Sequence, residues 1–94
     1  MNALQNAYAE LKANELTYGQ YDFSRYWLGR DRSYYSSLKA RQQQAGPQTM
    51  LKLAKNLTKA MVRAKAEKRN IEAALLERLS GSIWNSVMSD HFSS

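Results

Sequence analysis

The sequence predicts an all-α protein of four to five helices, and three observations carry that prediction. Apolar residues recur at helical spacing, as Leu4, Tyr8 and Leu11 do near the start. Between Pro47 and Leu79 there is no glycine or further proline, and strong helix formers dominate. No stretch alternates apolar and polar residues as a half-buried strand would.

Each element follows from its punctuation. Residues 3–16 form an amphipathic helix, with Gly19 marking the exit. Asp22 or Ser24 caps a short second segment holding Tyr26, Trp27 and Leu28, which stops at Gly29. Asp31 or Ser33 caps a third, with Tyr34, Tyr35 and Leu38, running to Gln44 before Gly46 ends it. Pro47 then opens a fourth helix at its first position, where a missing N–H costs nothing.

In this fourth helix Met50, Ala54, Leu57, Met61, Ala64, Lys68, Ile71 and Leu75 form a heptad seam, interrupted at Lys68. A continuous helix of about 30 residues extends about 45 Å, too long for so small a domain to cover. Either it breaks near Thr58–Arg69 or its distal half packs on a second copy. After Gly81, the residues Ile83, Trp84, Val87 and Met88 predict a short final segment. Trp27 and Trp84 are read as core or interface residues. The organisation expected is a domain over 1–60 followed by a helical extension over 61–94.

Composition excludes several function classes. There is no cysteine, hence no disulfide or thiolate metal site, and the one histidine, His91, reads as a solvated residue of the tail. The eight acidic residues are scattered without a catalytic pairing, and no phosphate-binding glycine loop occurs. The chain is therefore read as a non-enzyme with no cofactor, no metal and no small-molecule ligand. No apolar run reaches the roughly 18 residues of a membrane span, and the N-terminus lacks a secretory signal pattern. The compartment expected is the cytoplasm.

Charge is more informative once located. Of the 14 basic residues, 12 lie between Arg25 and Arg69, against Asp31 and Glu67 alone, a net +10 in a protein of net +6. A focused basic field suits a polyanionic partner, since neutralising phosphates releases condensed counterions. A lysine-rich solvated surface is the alternative.

Residues 23–57 combine Leu28 and Gly29 at a turn, Asp31, Arg32 and Ser33 opening a helix, and Tyr35 and Leu38 on its inner side. Pro47, Met50, Leu51, Leu53, Ala54 and Leu57 follow. This pattern resembles the lambda-repressor-like (Cro/C1-type) helix-turn-helix family, including the spacing from Gly29 to Leu38. Members usually carry Leu-Ala five and four residues before the turn glycine, where this chain has Ser24 and Arg25; Arg41 holds the place of the glycine that commonly ends the recognition helix.

The resemblance implies a small prokaryotic or phage transcriptional regulator that binds double-stranded DNA as a homodimer. A helical protein-interaction adaptor with a basic surface and an RNA-binding protein are the alternatives. Base contacts are expected at Arg32, Ser33, Ser37 and Ser36, because an arginine can bond guanine O6 and N7 together and the serines face outward. Phosphate contacts are expected at Arg30, Tyr34, Lys39, Arg41, Lys52 and Lys55, with Tyr34 equally readable as a half-buried aromatic. Lys59 and Arg63 continue the Lys52–Lys55 stripe and read as its solvated part. The dimer contact is expected at Ile71, Leu75, Leu79, Ile83, Trp84 and Val87.

Overall fold

A computed structural model of the protein describes the backbone of residues 2–92 and the side chains of residues 2–89; the His91 side chain lies outside that range. The described residues form five helices and no strand. Helix α1 spans Ala3–Ala13 and starts in a capping box, in which Asn2 Oδ1 accepts the Gln5 N–H at 2.8 Å. It stops three residues before the expected Leu16. Glu15 adopts φ 61°, and the Glu15 and Leu16 N–H groups return to the Lys12 and Leu11 carbonyls at 3.2 and 2.8 Å. This is a Schellman ending with a glutamate where glycine is usual.

Helix α2 begins over Gln20–Asp22, earlier than either expected cap, and continues as a π-helical segment over Phe23–Trp27. Its wider winding shows in the Leu28 N–H, which reaches the Phe23 carbonyl five residues back at 3.0 Å. Gly29 ends it at φ 66°, a left-handed conformation that suits glycine. Helix α3 spans Tyr34–Ala40. It ends at a second Schellman turn, with Gln42 at φ 53° and the Gln43 N–H on the Leu38 carbonyl at 3.0 Å, so the expected extension to Gln44 does not form.

Helix α4 spans Pro47–Ala66 with Pro47 in its first turn. The long helix read from the heptad seam breaks at Glu67–Arg69, within the expected window. Lys68 takes φ 60°, and the Arg69 N–H meets the Ala64 carbonyl at 2.8 Å. Arg69 pairs with both Glu67 and Glu72 across the break. Helix α5, Asn70–Phe92, then returns antiparallel along α4. Gly81 lies inside α5 and does not separate a final segment.

The α4–α5 hairpin is sealed by apolar contacts and one polar knot. The Thr58 hydroxyl donates to the Ala54 carbonyl at 2.9 Å and accepts the Trp84 indole N–H at 3.2 Å. Its one proton being used, the Ser80 hydroxyl at 2.9 Å is the donor to it.

A single buried cluster takes Leu4 and Leu11 from α1, Phe23 and Leu28 from the α2 segment, Tyr35 from α3, Leu53 and Leu57 from α4, and Leu76, Leu79 and Ile83 from α5. Burying each leucine contributes about 1.5–3 kcal/mol. Tyr8, Phe23 and Tyr35 meet there with ring centroids 4.9–5.1 Å apart, Phe23 and Tyr35 edge to face. Arg78 of α5 pairs with Glu10 of α1 at 2.8 Å. The boundary expected after residue 60 falls within α4, and the helix beyond it shares this core.

Candidate nucleic-acid interface

The orientation of α3 is set by a serine outside it. Ser24 is fully buried; its hydroxyl donates to the Gln20 carbonyl at 2.8 Å and accepts the Tyr35 N–H at 3.0 Å. It thereby satisfies a first-turn N–H of α3, which no side chain of its own cap does. The two caps expected from sequence bond each other instead: the Ser33 hydroxyl and N–H both donate to Asp31 Oδ2, at 2.5 and 3.1 Å. Asn56 of α4 anchors the other end of the turn, donating its amide to the Trp27 and Tyr26 carbonyls at 2.9 and 3.3 Å. Neither Ser24 nor Asn56 was singled out as a site residue by the sequence. Ser24 carried a signal, being a small residue five positions before the turn glycine.

So held, α3 turns Tyr35 into the core and presents Ser33, Ser37, Ala40 and Arg41 to solvent. Their spacing puts them on one stripe of the helix. Ser36 is half-buried at its flank and donates to the Ser33 carbonyl at 3.1 Å. Arg32 is exposed just before the helix, its guanidinium 5.8 Å from the Tyr21 ring centre. The expected base-contact residues are thus neighbours, with Ser37 facing outward and the Ser33 and Ser36 hydroxyls already engaged.

The expected phosphate set divides. Arg30 is exposed and lies over the Tyr34 ring at 4.9 Å. Tyr34 is half-buried against the core edge, its hydroxyl 3.5 Å from the buried Thr49 hydroxyl. The Lys52 side chain lies across the turn, since a Cβ on Gly29 would come within 3.0 Å of Lys52 Cε. Lys55 is exposed one turn further along α4, and Arg41 sits on the stripe itself. Lys39 does not join them: its ammonium lies 5.8 Å from the Tyr35 ring centre, on the opposite side of α3 from Ser37.

Asp31 adds one negative charge among these cations. Hydrogen bonds from the Ser33 hydroxyl and then the Ser33 N–H hold its carboxyl below the usual aspartate range. Burial pushes the Tyr35 phenol up, with a smaller contribution from Tyr8.

The expected dimer residues also divide. Leu79 and Ile83 are buried in the chain's own core, because α5 folds back on α4 and α1, and they leave no surface for a second copy. Leu75, Trp84 and Val87 are half-buried against the same core, and Ile71 alone of the set is 89% exposed. Among the described residues no helix is long and apolar enough to cross a membrane.

Residues 4–91 match a family model described as a family of unknown function (DUF6626). The chain belongs to that family. The matched residues run from α1 into α5. No curated protein and no solved structure matches the chain.

Proposed function

We propose that this protein is a sequence-specific DNA-binding regulator in which α2, the Gly29 turn and α3 act as a helix-turn-helix, with α3 entering the major groove. The observation that carries the reading is the Ser24–Tyr35 hydrogen bond, which holds α3 across α2 through a residue small enough for close approach. It also accounts for the departure from the lambda-repressor-like pattern. The π-helical segment adds one residue before Gly29, so Phe23 and Ser24, six and five positions back, take the places of the large and small residues found five and four back in that family.

The stripe that α3 offers is made of short side chains, which lets the helix sit deep in a groove about 12 Å wide. Arg32 supplies the bidentate donor for guanine, and Ser37, Ser33 and Ser36 offer weaker hydroxyl contacts. Arg30, Arg41, Lys52 and Lys55 meet flanking phosphates and set register without reading sequence. A homodimer would place two such helices about 34 Å apart on a near-palindrome. Of the expected dimer set Ile71 has the most surface to contribute, beside half-buried Leu75.

Fluorescence anisotropy on a random duplex, titrated between about 50 and 200 mM salt, tests the reading. The expected result is a linear fall of log affinity with log salt, with a slope set by several phosphates. Absence of duplex affinity at the lowest salt overturns it. Selection of bound fragments from genomic DNA then gives the motif, and Arg32→Ala is expected to relax preference at one position of each half-site.

A further inference from the structure

Two further cations of α4 follow Lys55 along the helix and are not part of the phosphate set of that interface. From Lys52 to Arg63 the helix rises about 16 Å, and there Lys59 and Arg63 border an open groove of about 540 Å³ between α4 and the loop leading through α2. Trp27 and Ala60 in its lining are half-buried, and Tyr18 and Tyr26, 89% and 70% exposed, line it from the loop and the α2 segment while the cations line it from α4. Among the described residues no carboxylate pairs with Lys59 or Arg63, which is true of most cations of the chain; these two are set apart by the groove they line. Asp22, the one carboxylate among the lining residues, is drawn into the loop by the Thr17 hydroxyl at 2.6 Å and the Tyr18 N–H at 3.1 Å.

We propose that this groove docks an acidic segment of a partner protein, its large apolar side chain seated on Trp27 and Ala60 and its carboxylates on Lys59 and Arg63. Tyrosine, tryptophan and arginine dominate interface hot spots because they bury much area and hydrogen-bond at their tips. Two cations and three aromatic side chains lining one groove complement a segment that is both acidic and apolar. An open groove accommodates a chain better than an isolated small molecule, which needs most of its surface enclosed. A single nucleic-acid strand needs cations along its whole path, and here they line the groove from α4 only.

The inference does not depend on DNA binding, and its test reads a different surface. Random twelve-residue peptides displayed on phage are panned against the full chain, and enriched peptides are measured by anisotropy. Enriched sequences are expected to place at least two Asp or Glu beside a Leu, Phe or Trp. The double variant Lys59→Glu/Arg63→Glu is expected to weaken them about tenfold or more, while Arg32→Ala leaves them unchanged. Circular dichroism checks its fold, and Lys59→Gln/Arg63→Gln, expected to lose part of the affinity, replaces it should the charge reversal unfold the chain. No enrichment, enrichment of basic or uncharged peptides, equal binding to the charge-altered chain, or tighter binding of oligo-dT through the same two cations would each overturn the proposal.

Discussion

The Ser24 hydroxyl accepts the Tyr35 N–H at 3.0 Å across the α2–α3 crossing, acting as a helix cap supplied by a residue eleven positions away. Both partners are buried, so the bond cannot be replaced by water when it is lost. Ser24→Ala is expected to lower stability by about 1–3 kcal/mol, the cost of an unsatisfied buried donor. Ser24→Leu adds overpacking at a site with no spare volume and should cost more than Ser24→Ala. Urea titration of both variants checks the order, and an unchanged midpoint for Ser24→Ala would contradict the assignment.

Three helices end on a non-glycine residue in the left-handed region: Glu15, Gln42 and Lys68, at φ 61°, 53° and 60°. An L side chain there costs roughly 1 kcal/mol relative to glycine. Glu15→Gly, Gln42→Gly and Lys68→Gly are each expected to raise stability by up to about 1 kcal/mol, measured by thermal melts. Gly29→Ala should do the opposite by a similar amount, its Cβ also displacing Lys52 from the turn.

Thr58 accepts from Trp84 and Ser80 while donating to Ala54, and it joins the two longest helices. Thr58→Val keeps the shape and removes the acceptor from both donors, at an expected cost of about 1–3 kcal/mol. In Trp84→Phe the indole N–H is gone, so adding Thr58→Val should cost less than it does in the wild type. A double-mutant cycle by urea denaturation measures that coupling.

Asp31 has its folded-state pKa depressed by Ser33, so the stability it contributes is present above the unfolded aspartate pKa of about 4. It is lost as pH falls through the lower folded value. Carboxyl NMR titration is expected to find Asp31 below the usual range and to find it shifted upward in Ser33→Ala, which removes the first of its two causes.

Under the proposed function, Lys52→Ala is expected to weaken duplex binding equally for all sequences and to reduce the salt slope by about 0.9. Arg32→Ala should instead change which sequence is preferred. A salt series on matched and mismatched duplexes separates the two effects.

Helical class was legible because it depends on local periodicity: Leu4, Ala7 and Leu11 share a face whatever they pack against. Pro47 and Gly29 were legible for the same reason, since a fixed φ and a positive φ are properties of single residues. Two helix ends were placed late because glycine was taken as the stop signal, at Gly19 and Gly46, and Gly81 was taken for a break that α5 runs straight through, whereas tertiary contacts made the stops. Leu16 is pulled back against the core and strains Glu15; α5 is folded onto α4 and strains Lys68. The heptad seam holds within α4, where Met50, Ala54, Leu57 and Ala64 are buried, but not beyond the break: Ile71 is 89% exposed, and α5, folded back on α4, buries Ala73, Leu76, Leu79 and Ile83 in the chain's own core and not against a second copy.

By itself, then, the sequence determined an all-helical chain, a glycine turn ahead of α3 and the concentration of positive charge between Arg25 and Arg69. Only the tertiary structure decided which face α3 presents. One extra residue in the α2 winding rotates everything before Gly29 by about 100°, and that rotation brings Ser24, not Arg25, to the crossing. Close packing tolerates the small serine there and excludes the arginine, a selection that no local pattern encodes.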